Sequence, residues 1–287
     1  MSAPDDHQST QAAAPLTDDV TGTGVFQIVL DGYDAIYDAL PRGETFNRLW
    51  RTNAYDADFP GEFAHIGFLT VTEARRMREL LQVGPGDVFA DLACGAGGPG
   101  LWMAEQSGAS LIGADPSAAG LAAARTRARA AGLADRSRFQ QGTFEQTNLP
   151  DGAVDAVMSV DAFQYAPDKR AALAEFFRIL RPGGRVSIIA FEVDPAKVAG
   201  VPVIGADPVP DYVPLLEAAG FDVEAYEETP GWRERVNAAF GAIVDASDML
   251  TAEMGERAAA GAVAEAMLTV QMQPYPRRVL AAARRPG

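Results

Sequence analysis

Cysteine is almost missing from this chain of 287 residues; Cys94 is the only one. No intrachain disulfide can form, and a reducing compartment is the expected setting. Histidine is nearly as scarce, at His7 and His65. One thiol and two imidazoles cannot assemble a zinc site of the usual ligand spacing, so no metal is expected. Basic residues number 24 against 39 acidic ones, a formal net charge of −15. A surface that tracks phosphates needs clustered lysine and arginine, so no nucleic-acid partner is expected. Anion binding by backbone amides at a helix N-terminus stays open. The longest clean apolar run, "VSIIAF", is far too short for a membrane span, and no basic-then-apolar leader is visible. These absences predict a soluble, cytoplasmic protein with no membrane partner. What the chain does have is a hydrophobic fraction of 48% with 22% charged residues. That is ordinary globular composition, and the length suffices for one large domain or two small ones with a substantial core.

Residues 1–24 are small and polar and read as a disordered tail. An aromatic-rich segment follows, with Tyr33, Tyr37, Phe46, Trp50, Tyr55, Phe59, Phe63 and Phe68. "TVTEARRMRELLQVG" predicts a helix, opened by a capping box at Thr70 and Glu73 with Met77, Leu80 and Leu81 on one face. From there strands and helices alternate. "DVFADLA", "ASLIGAD", "RFQQG", "VDAVMSV" and "RVSIIAFE" read as strands. "LWMAEQSG", "SAAGLAAARTRARAAG" and "KRAALAEFFRIL" read as helices, the first two stopped by Gly108 and Gly132. Alternation of this kind predicts a parallel sheet covered on both faces, with ligands outside the carboxyl ends of the strands. That brings Asp91–Gly97, Asp115, Gln141–Phe144, Val160–Gln164 and Glu192 together. "DYVPLLEAAGF" and "DVEAYEE" read as a further helix and strand. Thr229 as N-cap and Pro230 as first helical residue open another helix, a second runs from Glu256 to Met272, and "RRVLAAARR" closes the chain as a strand.

"DLACGAGGPG" at 91–100 carries the chemistry. Gly95, Gly97 and Gly100 satisfy the dinucleotide fingerprint, because glycine lets backbone approach a ligand and adopt positive φ. A pyrophosphate at the following helix N-terminus would be repelled by Asp91 at the end of the preceding strand. S-adenosylmethionine has no phosphate, and its ammonium favours an acid there. Asp115, twenty residues past Gly95 in the sequence, suits ribose hydroxyls in either ligand class and does not discriminate. Asp91 does.

"VFADLACGAGGPG", "LIGADPS", "LPDGAVDAVMSVDAFQYAPD" and "RILRPGGRVSIIAFE" resemble the successive motifs of a class I S-adenosylmethionine-dependent methyltransferase, of the small-molecule, natural-product or quinone-type branch. The resemblance runs from Leu81 to Phe221. It implies an α/β, Rossmann-like fold: a seven-stranded, mostly parallel sheet whose last strand is antiparallel, helices on both faces, and a helical cap. The implied organisation is a cap segment at 25–80 and a catalytic domain at 81–287 with a helical insertion at about 230–273. These helices either cover the substrate pocket, extend the core or form a homodimer interface. By position, Asp91, Ala93, Gly95 and Gly97 hold the methionine portion, Asp115 the ribose, and Pro116 packs on adenine. Thr143 stands where relatives carry the acid that binds the adenine amine, so that contact passes to Thr143, the Phe144 backbone or Glu145. Val160 and Asp161 lie beside the methionine portion.

Methyl transfer needs positioning, exclusion of water and, for many nucleophiles, removal of a proton. His65, in a segment similar to the "His-x-Gly-Tyr-Trp" motif of small-molecule methyltransferases, is the first candidate base. Tyr33 or Tyr37, one helical turn apart, and Glu192 at a strand exit are further catalytic candidates. Gln164, Tyr165 and Trp232 are candidate substrate contacts, and packing is the alternative for each aromatic residue. "SVDAFQ" departs from the motif of base-amine methyltransferases, which leaves a small organic acceptor with a C, N or O nucleophile, in secondary metabolism. Two rivals are an enzyme that keeps the fold and cofactor without transferring methyl, such as a cyclase, and a nicotinamide-dependent oxidoreductase.

Overall fold

A computed structural model describes residues 22–55, 58–198, 205–272 and 275–287. Seven strands form one sheet: β1 (Val88–Leu92), β2 (Ser110–Asp115), β3 (Ser137–Gln141), β4 (Val154–Val160), β5 (Leu180–Glu192), β6 (Asp222–Glu228) and β7 (Arg277–Arg284). Their spatial order is β3-β2-β1-β4-β5-β7-β6. β1 to β5 run parallel, while β7 is antiparallel to both β5 and β6. The expected architecture is therefore present. The strand order reverses between β1 and β4, and a crevice opens at their carboxyl ends, where ligands of such sheets bind. The "LRPGG" segment enters β5 early: Leu180 already pairs with Val154, and the ladder then shifts register before Arg185 meets Ala156.

Ten helices flank the sheet among the described residues: α1 (Gly22–Ala39), α2 (Glu44–Asn53), α3 (Val71–Leu81), α4 (Gly98–Ser107), α5 (Ala118–Ala130), α6 (Lys169–Ile179), α7 (Val213–Ala218), α8 (Trp232–Asp245), α9 (Ser247–Met254) and α10 (Glu256–Met272). Successive strand residues feed opposite cores, as the pleat requires. Phe89, Leu111, Met158 and Ile189 pack on one side with α3, α4 and α5. Ala90, Ala114, Val157 and Ile188 pack on the other with α6 and α7. α3 begins with the expected capping box, in which the Glu73 N–H donates to Thr70 Oγ1 at 3.1 Å and the Thr70 N–H to Glu73 Oε2 at 3.0 Å.

The N-terminal helices and the segment between β6 and β7 pack together, α1 against α10 and α2 against α8 and α9. Three points differ from the expectation. Residues 1–21 of the predicted tail lie outside the described residues, but Gly22–Gly24 are the first turn of α1. The insertion carries three helices rather than two, α8 to α10. And α8 starts at Trp232 with Gly231 (φ 61°) as its N-cap. Thr229 is unavailable for capping because its hydroxyl bonds Arg278, donating to the carbonyl at 3.2 Å and accepting from the guanidinium at 2.9 Å.

Arg278 ties this cap to the sheet. Its fully buried guanidinium pairs with Asp161 after β4 (2.7 and 3.0 Å) and with Glu73 on α3 (3.0 Å). Arg235 of α8 reaches the same Glu73 oxygen at 2.8 Å.

Candidate active site

β1 ends at Leu92, and the chain then turns into α4 through left-handed residues: Ala93 (φ 57°), Gly95 (φ 50°) and Gly97 (φ 77°). The loop is pinned from beneath. Gly95 N–H donates to Asp115 Oδ2 at 2.7 Å, and Ser117 N–H to Asp115 Oδ1 at 2.8 Å. Tyr37 closes it from above, since a Cβ at position 95 would fall 2.0 Å from the Tyr37 hydroxyl oxygen. Gly100, third glycine of the fingerprint, serves a different purpose from the one a dinucleotide site assigns it. A Cβ there would lie 2.5 Å from Asp91 Oδ2. Its absence makes room for a carboxylate on the helix, where a pyrophosphate would otherwise sit.

Both acids are buried and lack a cation among the described residues. Burial, with the Asp115 charge adding to it, pushes Asp91 up to about 8 against the pull of the Gly100 N–H. Burial likewise lifts Asp115 to about 6, outweighing its two backbone N–H donors. Asp91 Oδ2 has no hydrogen-bond partner among the described residues. A buried, unpaired carboxylate oxygen beside a glycine loop is costly unless a ligand completes it.

That ligand has space. An open cavity is lined by Tyr33, Tyr37, Ala93, Asp115, Pro116, Thr143, Phe144, Val160 and Asp161, among others. A narrow recess beside it holds Asp91, Ala93, Pro99, Val160 and His65. Thr143 and Phe144 face the cavity, whereas Glu145 does not. Asp91 for an ammonium, Asp115 for a diol and the Pro116–Phe144 walls for a flat base form a donor and acceptor set that fits S-adenosylmethionine.

A second chamber adjoins the first, sharing Tyr33, Ile66, Asp161 and Tyr165 with it. Its walls are Trp50, Phe68, Phe191 and Phe240, with Gln164, Glu265 and Thr269 supplying the polar edges. The rings interlock: Trp50 and Phe68 stand 5.4 Å apart between centroids, and Phe240 meets both edge-on at 5.8 and 5.4 Å. Both Tyr33 and Tyr165 donate their hydroxyls to Glu265 Oε1, at 3.0 and 2.8 Å.

The candidates from the sequence divide accordingly. Ala93, Asp115, Pro116, Thr143, Phe144, Val160 and Asp161 line the larger cavity, Asp91 lines its recess, and Gly95 and Gly97 shape the loop. Asp161, however, has its carboxylate committed to Arg278 and to the Phe68 N–H (2.7 Å). Gln164 is a chamber residue, though its Nε2 is held by the Asp161 carbonyl at 2.7 Å. Tyr33, Tyr37 and Tyr165 all face ligand space.

Three candidates do not sit where the sequence suggested. Glu192 is buried between Tyr226 and Arg277 (2.8 Å) and lines neither cavity. The pleat turns its side chain to the face shared with Ile188 and Ala190, opposite Phe191 and the chamber. Trp232 donates to Glu228 at 3.2 Å and packs 5.5 Å from Phe191, behind the chamber wall and not in it. His65 borders the Asp91 recess rather than the aromatic chamber. Its ring stacks on Tyr55 at 4.6 Å, neither nitrogen has a hydrogen-bond partner among the described residues, and burial holds it down at about 4.

Glu265 and Arg278 are not singled out by the sequence. A signal for Glu265 exists: it is an acid on the stripe Ala262, Ala266, Thr269 that α10 buries. Arg278 sits in a strand rich in alanine and has none.

Comparison with known proteins agrees with this geometry. A family model described as a methyltransferase domain matches residues 90–188. The 27-O-demethylrifamycin SV methyltransferase of Amycolatopsis mediterranei is 27% identical over 217 residues, 70% of this chain and 78% of that protein. Among solved structures, the [4+2]-cyclase SpnF superposes with a TM-score of 0.69 at 21% identity, covering 93% of this chain and 97% of that one. Geranyl diphosphate methyltransferase, solved in complex with S-adenosylmethionine, gives a TM-score of 0.58 at 22% identity over 75% and 84% of the two chains.

Proposed function

We propose that this chain, which matches a methyltransferase domain over residues 90–188, is an S-adenosylmethionine-dependent methyltransferase that methylates a small, largely apolar organic molecule bearing a hydroxyl, in secondary metabolism. The observation that carries this is the junction of the two cavities: an aromatic chamber opens directly onto the cavity of the glycine loop, across Tyr33, Ile66, Asp161 and Tyr165.

When bound, the cofactor supplies an electrophilic methyl group on a sulfonium. The chain does the rest. Asp91 accepts the α-ammonium, and Ala93, Gly95 and Gly97 shape the turn around the methionine portion. Asp115, already oriented by Gly95 and Ser117, accepts the ribose hydroxyls. Pro116 and Phe144 flank the base, and Thr143 stands at its edge. Tyr37 and Ile66 close the recess and keep water from the sulfonium, where a methyl group in transit is otherwise lost to hydrolysis. The four rings of the chamber would hold the acceptor beside the cofactor cavity, and positioning of this kind is the main lever on a displacement reaction.

The hydroxyl assignment draws support from the substrate named for the rifamycin relative, a 27-O-demethyl compound. The cyclase likeness concerns the fold alone, and it defines the rival: a chain that binds the cofactor and reshapes its substrate without giving up a methyl group. Incubation of the purified protein with S-adenosylmethionine and a panel of hydroxylated polyketides and phenols, followed by mass spectrometry, separates them. The expected result is S-adenosylhomocysteine in equal amount to a product heavier by one methylene. An isomerised acceptor with no S-adenosylhomocysteine would establish the rival.

A further inference from the structure

We propose that Glu265 is the base that removes the acceptor's hydroxyl proton, held in position by Tyr33 and Tyr165. The proposal rests on the methyl-transfer reading of the site.

Three separate parts of the chain converge on this carboxylate. Tyr33 comes from α1, Tyr165 from the turn after β4, and Glu265 from α10 in the insertion. Both hydroxyls are donated to one oxygen, Oε1. Oε2 has no donor among the described residues, and no cation among them pairs with Glu265. A residue serving packing alone would not be an acid here, because the neighbouring stripe is Ala262, Ala266 and Thr269 and the chamber beyond is aromatic. Leaving a carboxylate in such a place costs several kcal/mol in order of magnitude unless its chemistry is used. Burial raises its pKa above the usual carboxylate range, in the direction a general base requires at neutral pH. Tyr33 and Tyr165 cannot take the role themselves, since burial and the Glu265 charge hold both phenols well above 10. His65 lies on the cofactor side of the junction.

The step balances. Oε2 takes the hydroxyl proton as the acceptor oxygen's lone pair attacks the methyl carbon. The carbon–sulfur bond breaks with its electron pair going to sulfur, which becomes the neutral thioether of S-adenosylhomocysteine. Glu265 then returns the proton to water.

The test pairs Glu265→Gln, which keeps shape and can still accept from both tyrosines, with Tyr165→Phe. Turnover is measured with an acceptor found by the panel above, and S-adenosylmethionine binding is followed separately by calorimetry. Glu265→Gln should lower kcat by about 10²–10⁴-fold, the usual worth of a positioned base, with KM and cofactor affinity nearly unchanged. Tyr165→Phe should lower kcat less than Glu265→Gln does and move the rising limb of the pH–rate profile upward, because one donor that positions and stabilises the carboxylate is gone. Rescue of Glu265→Gln at high pH, where the acceptor ionises unaided, would support the assignment further. Glu265→Gln with kcat within about threefold of wild type overturns the role while leaving methyl transfer intact. Loss of cofactor binding along with turnover makes Glu265 structural and overturns it too. Wild-type protein that binds S-adenosylmethionine yet forms no S-adenosylhomocysteine with any acceptor overturns the transfer reading itself.

Discussion

Two groups of buried charge sit within this fold, and they are handled in opposite ways. Around Arg278, every ion has its counter-ion: Asp161 and Glu73 close on the guanidinium, Arg235 adds a second cation, and Thr229 and the Phe68 N–H occupy remaining sites. Around the glycine loop, Asp91 and Asp115 face one another's charge with no cation among the described residues, and one oxygen of Asp91 has no partner among them. The first arrangement is complete and holds α3, α8, β4 and β7 together. The second is incomplete, and under the proposed function the cofactor's ammonium supplies the missing charge. Buried charge that is satisfied indicates architecture, whereas buried charge that is not indicates a ligand.

The comparison can be broken most severely at Arg278. Arg278→Met leaves Asp161 and Glu73 facing an apolar neighbour, and a loss of about 3–5 kcal/mol in unfolding free energy is expected from denaturant melts, the usual effect of removing one partner of a buried pair. A drop below about 1 kcal/mol would show that Arg235 alone suffices. The mirror experiment is made at the loop. Asp115→Asn should weaken S-adenosylmethionine binding by about 1.5–3 kcal/mol in calorimetry, as expected for hydrogen bonds to a charged group. In the ligand-free protein the same substitution removes a buried charge but leaves one of the Gly95 and Ser117 N–H donors without an acceptor, so the melting temperature should change little.

The pH dependence sharpens the contrast. Asp91 stands at about 8 in the folded chain against 3.8 in an unperturbed one. The folded state therefore holds more protons than the unfolded state between those values. Stability from this group is fully present below about pH 4 and lost as pH rises toward about 8. Asp91→Asn should flatten that decline in thermal melts of the ligand-free protein. Since the bound ammonium favours the ionised acid, cofactor binding at pH 7 should release a fraction of a proton. Calorimetry in buffers of differing ionisation enthalpy reads this directly, and proton uptake would contradict the assignment. The smallest effect is expected at His65. Its ring packs between Tyr55 and Phe59 and makes no polar contact among the described residues. His65→Phe should change stability by no more than about 1 kcal/mol, as for a volume-conserving core replacement, with turnover within a few-fold of wild type.

The cofactor half of the site is legible in the sequence because its determinants are local. A strand, a glycine loop and a helix follow one another along the chain, so Asp91, Gly95 and Asp115 carry their own geometry with them. The same is true of the sheet, whose parallel strands are forced by the alternation of strand and helix. The capping box at Thr70 and Glu73 likewise depends on residues one turn apart. The acceptor half is different in kind. Tyr33, Tyr165 and Glu265 lie far apart in the chain and meet only because α1 packs against α10. Spacing holds no record of that encounter. The differences between expectation and fold follow the same division. Thr229 has the neighbours of a helix cap, and only Arg278 on a distant strand decides otherwise. Glu192 does end its strand as expected, but the Tyr226 and Arg277 that occupy its carboxylate come from β6 and β7, far along the chain. Local chemistry wrote the glycine loop into the sequence; the aromatic chamber and the charge that locks it exist only where separate elements pack.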